Sequence, residues 1–170
     1  RASNNEIDAI LKSLGKFSDL TIIITMPNTD PFSFEIFKKI KKFESNNLNC
    51  KSFKSLGQSV YYSLIKVSDL VIGNSSSGII ETPYFVKPCV NIGRRQEGRI
   101  KAINIIDCKA QDLLITKNIK LGLTNKFKKT LKTMKNPYGN GTASKKIENI
   151  LKKLTSKKIE VKKKFFDLKL

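Results

Sequence analysis

The chain contains no histidine, no Cys-x-x-Cys pair and only three cysteines, Cys50, Cys89 and Cys108. The common donor sets for zinc and haem are therefore missing, and no metal site or cofactor is expected. Two of the thiols fall at the ends of predicted strands, where cysteine serves as a small hydrophobe. Reduced thiols fit a cytoplasmic setting. No apolar run approaches the ~20 residues that span a bilayer, so no membrane partner is expected. The opening RASNNEIDAI is neither a signal nor a transit peptide and lacks an initiator Met, which suggests a piece of a longer protein. Neither GxGxxG after a strand nor GxxxxGK[ST] occurs, so dinucleotide and Walker-type phosphate binding are not indicated.

Acidic residues are also scarce, 14 against 33 Lys and Arg, for a formal charge of +19. That charge raises the alternative of a basic nucleic-acid-binding module. Against it, the lysines are scattered through every helix and aromatics make up only 8% of residues. No paired aromatic motif or helix-turn-helix is recognisable, so a nucleic-acid partner is not expected. Only four arginines exist, and Arg94, Arg95 and Arg99 lie within six residues. Where lysine is the default cation, clustered arginines point to bidentate recognition of an oxyanion.

At 170 residues the chain can bury a sizeable core. A helix capped by Ser3 or Asn4 is predicted to about Phe17, with Ile7, Ile10, Leu11 and Leu14 on one face. Leu20–Thr25 is a β-branched run of the kind buried on both faces of a parallel sheet. The loop MPNTDPFS follows, placing Asn28 and Asp30 just past the carboxyl end of that strand, where α/β sheets bind ligands. The pattern continues with helix Ser33–Glu44, strand Leu48–Phe53, helix Ser59–Val67 and strand Leu70–Ile72. Later predictions are strand Cys89–Ile92, strand Ala102–Ile106, one helical turn at Gln111–Leu114, and helices Thr124–Met134 and Thr142–Leu154. Strands alternating with helices predict an α/β fold, a Rossmann-like, mostly parallel sheet with helices on both faces. Because the first element is a helix, the first strand of the domain is expected upstream of Arg1. Residues 1–155 are read as this domain and 156–170 as a basic tail.

The stretch Ser68–Ile100 organises the rest. Strand Leu70–Ile72, the loop Gly73–Gly78 and a helix predicted over Ile79–Phe85 form a sequence in which helix N–H groups and dipole meet an anion. Two glycines allow close backbone approach, and Ser75, Ser76 and Ser77 offer hydroxyl donors. Glu81, in the first turn of that predicted helix, would oppose phosphate, but could accept hydrogen bonds from sugar hydroxyls such as a ribose. Arg95 can reach back over the loop, although spacing alone does not separate it from Arg94.

The segment VIGNSSSGIIETPYFVKPCVNIGRRQEGR resembles the signature of the UDP-N-acetylglucosamine 2-epimerases, specifically the hydrolysing branch of sialic-acid and related nonulosonate synthesis. PNTD, SLGQ and NPYGNGTAS extend the resemblance over about Leu20 to Leu154. It implies the C-terminal half of a two-domain GT-B fold, with the active site between domains and no cofactor. The implied reaction converts UDP-N-acetylglucosamine and water to N-acetylmannosamine and UDP, by anti elimination and then syn addition of water. The implied partners are the UDP-sugar, the N-terminal domain and, for the whole protein, further copies of itself in a homo-oligomer. Carried over by motif, Ser75 and Ser76 match the phosphate-binding serines and Glu81 the ribose-holding glutamate. Arg95 matches the nucleotide-contacting arginine and Asn28 the substrate-touching Asn of the PN-x-D loop. Uracil is expected near Phe53–Gln58. Arg94 departs from the Asp or Thr frequent in hydrolysing members. The family's catalytic acids lie in the N-terminal domain and its His upstream of Arg1, so this chain alone is expected to carry no catalytic residue. Some relatives act on UDP-2,4-diacetamido-2,4,6-trideoxyhexose, which stands as the alternative substrate.

Overall fold

The computed structural model describes residues 2–27 and 33–155. Asn28 and Asp30, and the tail 156–170, lie outside the described residues. In order, the elements are α1 (Ala2–Leu14), β1 (Ile22–Thr25), α2 (Ser33–Asn46), β2 (Cys50–Phe53), α3 (Gly57–Val67), β3 (Val71–Gly73) and α4 (Ser76–Ile80). They continue with β4 (Cys89–Ile92), β5 (Ile105–Cys108), α5 (Asp112–Leu123), α6 (Asn125–Thr130), a 3-10 turn (Leu131–Thr133) and α7 (Ala143–Thr155). Two compact units result, Arg1–Pro137 and Tyr138–Leu170. The second carries α7, whose Ile147, Ile150, Leu151 and Leu154 recur at helical spacing and are all exposed. No helix among the described residues is long and apolar enough to cross a membrane.

All strand pairs are parallel, as the β-branched runs predict. They form two sheets, β1-β2 and β3-β4-β5, with no pairing between β1 and β3. Strand β4 is buried along its whole length. Its Val90 and Ile92 face a core shared with Leu14, Phe17, Ile115 and Ile119. Its other face meets α4, where a Cβ on Gly78 would stand 2.8 Å from Cys89 Sγ. Helices thus cover both faces. Ile115 and Ile119 are fully buried, and truncating such a side chain to alanine typically costs about 2–5 kcal/mol.

Several boundaries differ from the sequence expectation, and three of them have a cause visible in the packing and hydrogen bonds. Helix α5 runs for 12 residues rather than one turn, because Ile115, Ile119 and Gly122 at i, i+4 and i+7 form a buried stripe against the sheet. Strand β5 begins at Ile105, three residues late, because the chain before it forms a turn, closed by Ile105 N on the Ala102 carbonyl (3.2 Å) and pinned by the buried Asn104. Its amide donates to Thr82 Oγ1 (2.8 Å) and to the Lys87 carbonyl (2.7 Å). Helix α4 begins at Ser76 and ends at Ile80, earlier and shorter than Ile79–Phe85. Thr82 turns its hydroxyl onto the Gly78 carbonyl, and Pro83 offers no N–H to continue the helix.

Burial raises the pKa of all three thiols, Cys89 to about 12. On the other side of the unit, Glu44 joins α2 to β2. It accepts from Lys41 Nζ (2.8 Å), Ser52 Oγ (2.5 Å) and Ser52 N (3.1 Å). These bonds, Lys41 first, lower its pKa from 4.5 to about 2. Because the folded value lies below the unfolded one, the stabilisation is complete above about pH 4.5 and is lost as pH falls through about 2. Melting temperatures over that window should fall less steeply in Glu44→Gln than in the parent; identical slopes would remove Glu44 as the source.

Candidate functional site

The Gly73–Gly78 loop and the arginine segment both leave the carboxyl ends of neighbouring strands, β3 and β4, and the loop before α3 leaves that of β2. This is the edge at which parallel α/β sheets bind ligands. At Gly73 the chain leaves β3, and Asn74 leads into α4. Asn74 is clamped from two sides. Its side-chain amide donates to Glu6 Oε2 of α1 (3.1 Å), and its carbonyl accepts from Gln96 Nε2 (2.8 Å). Gln96 is buried, and its Oε1 has no hydrogen-bond partner among the described residues. The turn that brings Gln96 there starts at Gly93, with φ +74°, where a Cβ would run into the Glu6 carboxylate. The positive φ favours glycine, and any Cβ there would also force the Glu6 side chain to move.

The three serines have different roles. Ser75 is the N-cap of α4, and its Oγ accepts from Ser77 N (3.3 Å). Acting as an acceptor, its hydroxyl retains a proton to donate. Ser77 is engaged inside the protein. Its Oγ lies 2.5 Å from both Tyr61 Oη of α3 and Glu81 Oε2. Ser76 is half-buried and makes no side-chain hydrogen bond among the described residues. Two of the three hydroxyls, those of Ser75 and Ser76, therefore remain available to a ligand.

Glu81 is not in the first turn of α4, as the sequence suggested, but at its C-cap. Starting the helix at Ser76 moves every later residue toward its end, so Glu81 gains nothing from the helix dipole. Its carboxylate is held instead by Ser77. With only five residues, α4 also supplies a smaller dipole than a long helix would, so hydroxyls and arginine must carry more of any anion binding. The arginines separate as well. Arg94 Nε is paired with Glu97 Oε1 at 2.7 Å, whereas Arg95 and Arg99 are exposed and make no ion pair among the described residues.

Tyr61 of α3 meets Ser77, a contact that sequence reasoning missed. Burial raises its pKa, the Glu81 charge adds to the rise, and the Ser77 bond opposes it. No local signal linked Tyr61 to a serine 16 residues away. Near the uracil position implied by resemblance, Phe53 is exposed and Gly57, with φ +66°, opens α3.

A family model described as UDP-N-acetylglucosamine 2-epimerase matches residues 1–152. The chain belongs to the UDP-N-acetylglucosamine 2-epimerase family. It is 40% identical over 112 residues to the GDP/UDP-N,N'-diacetylbacillosamine 2-epimerase (hydrolyzing) of Campylobacter jejuni, covering 65% of this chain and 29% of that protein. It is 32% identical over 171 residues to polysialic acid biosynthesis protein P7 of Escherichia coli, covering 97% of this chain and 42% of the relative. The chain thus spans less than half the length of either. The solved UDP-GlcNAc 2-epimerase from Neisseria meningitidis, bound to UDP-GlcNAc, shares its fold. The TM-score is 0.68 at 20% identity, over 88% of this chain and 41% of that one. The α/β class read from the sequence, with a parallel sheet and the C-terminal half of a GT-B fold, is the fold observed.

Alkaline titration checks the Ser77 network. Tyr61 should ionise above the ordinary value of 10.0, and Tyr61→Phe should remove that step from the titration of the four tyrosines. Glu81→Gln should bring the step down by removing a nearby negative charge. An unmoved step in Glu81→Gln would place the carboxylate elsewhere.

Proposed function

We propose that this chain is the UDP-holding part of a hydrolysing UDP-N-acetylglucosamine 2-epimerase, acting in sialic-acid or related nonulosonate synthesis in the cytoplasm. The observation that carries the reading is the uneven use of the three serines. Ser77 is tied to Tyr61 and Glu81, while Ser75 and Ser76 keep donors to offer, and Arg95, in the segment that leaves the neighbouring strand, makes no ion pair among the described residues. In this reading Ser75 and Ser76 donate to the UDP phosphates and Arg95 offsets their charge. Glu81, oriented by Ser77, accepts from the ribose hydroxyls, and Asn28 touches the substrate. Uracil lies against the chain near Phe53–Gln58.

Elimination of UDP places negative charge on the departing phosphate. Donors fixed around that phosphate stabilise the transition state more than the ground state. The chain's own residues would thus hold and stabilise the leaving group. Acid–base chemistry at the sugar would fall to the rest of the full-length protein, so the chain alone should bind UDP and turn nothing over. A second reading keeps the chemistry and changes the sugar to UDP-2,4-diacetamido-2,4,6-trideoxyhexose. It is favoured by 40% identity to a relative named for diacetylbacillosamine.

Calorimetry with UDP at low salt tests the assignment. Ser76→Ala and Arg95→Ala should each weaken binding about tenfold or more, the scale of one hydrogen bond to a charged group. Arg94→Ala should bind almost as the parent does, because that guanidinium is already paired with Glu97. Parent-like binding by both Ser76→Ala and Arg95→Ala would overturn the site.

A further inference from the structure

The loop over residues 138–142, which leads into α7, is the part of the NPYGNGTAS motif that the UDP reading leaves without a task. It holds the only Asn-Gly pair in the sequence, Asn140 and Gly141. Asparagine is chemically labile, and most of all before glycine. The following peptide nitrogen lies one five-membered ring closure from the side-chain carbon Cγ, and glycine has no Cβ to obstruct the approach.

The surroundings of the pair favour that closure. Gly139, Asn140 and Gly141 are all exposed. The two glycines hold φ of +97° and +83°, and a Cβ built on either would meet nothing within 4 Å. Among the described residues, Gly141 N makes no hydrogen bond, so its proton is open to water. The Asn140 amide nitrogen has no partner either, whereas its Oδ1 accepts from Thr142 Oγ1 at 2.7 Å. That bond draws electron density from Cγ and places a donor where negative charge forms as the nitrogen adds. Thr142 opens α7, its carbonyl accepting from Lys146 N (3.1 Å). Its hydroxyl caps no helix N–H among the described residues and is turned back on Asn140 instead.

Other asparagines lack these features. Asn91 and Asn104 are buried, and their amides donate to Asp107 and to Thr82. Asn74 precedes a serine, and its amide is held by Glu6.

We propose that Asn140 is a site of spontaneous deamidation, with Gly141 N as the nucleophile and Thr142 as the donor that promotes it. Gly141 N gives up its proton and bonds to Asn140 Cγ. The Cγ–Nδ2 bond breaks, and Nδ2 takes up a proton and leaves as ammonia. One water molecule then opens the cyclic imide, its OH going to a carbonyl carbon and its H returning to nitrogen. Opening at one carbonyl gives aspartate and at the other isoaspartate, and no electrons are transferred. Either product places a carboxylate ahead of α7, whose first turn contains no acidic residue, at the helix end where negative charge is favoured.

Peptide mass mapping of the 170-residue chain, held at neutral pH, tests this. Asn140 should gain one mass unit, as a mixture of aspartate and isoaspartate, ahead of every other asparagine. Gly141→Ala should slow the gain by about tenfold or more. Thr142→Val should slow it several-fold, whereas Thr142→Ser, which keeps the hydroxyl, should convert as the parent does. In urea, where the hydrogen bond from Thr142 is lost, parent and Thr142→Val should convert alike. Survival of Asn140 while other asparagines convert would overturn the proposal, as would aspartate without isoaspartate, the mark of direct hydrolysis. Equal rates for the folded parent and folded Thr142→Val would overturn it too, as would a difference that persists in urea.

Discussion

Strand β4 is paired on both edges and covered on both faces, and the parts of the candidate site are held in relation to it. One face receives α4, brought close by the missing Cβ of Gly78. The other receives the α5 stripe of Ile115 and Ile119. Its carboxyl end launches the turn that carries Gln96 and the arginines. A four-residue strand can bear this load because every one of its residues is buried. A one-residue slip in its register would turn Cys89 toward α5 and Val90 toward α4.

From that anchor the polar contacts form a chain. Gln96 fixes the Asn74 carbonyl, Asn74 reaches Glu6 on α1, and the loop then enters α4 with Ser75 as cap. Ser77 closes the other side through Glu81 and Tyr61. Support of this kind leaves the Ser75 and Ser76 hydroxyls, in the loop at the carboxyl edge of the sheet, with donors unused among the described residues. Preorganisation matters for phosphate because donors that need not rearrange lose less entropy and desolvation energy on binding.

Local pattern made much of this legible. The β-branched runs, the glycine-bracketed serines and the arginine cluster each imply their local structure, and together they carry the resemblance to the family. What escaped was set by distant partners. The length of α5 followed from burial of Ile115 and Ile119 against β4, the start of α4 from the Ser75 cap, and its end from Thr82 and Pro83. Because the helix started earlier, Glu81 moved from its first turn to its end, where the helix dipole lends a carboxylate no support.

The sequence by itself determined the fold class, the order of elements and the stretch in which an anion would be met, since these depend on periodicity, turn residues and side-chain chemistry. Tertiary structure alone decided that Ser77 is spent on Tyr61 and Glu81, and that Arg94 is spent on Glu97 while Arg95 is not. It also decided that the sheet parts between β1 and β3. Hydrogen bonds and ion pairs are exclusive: a donor used within the fold is lost to a ligand, and only three-dimensional proximity settles which partner claims it.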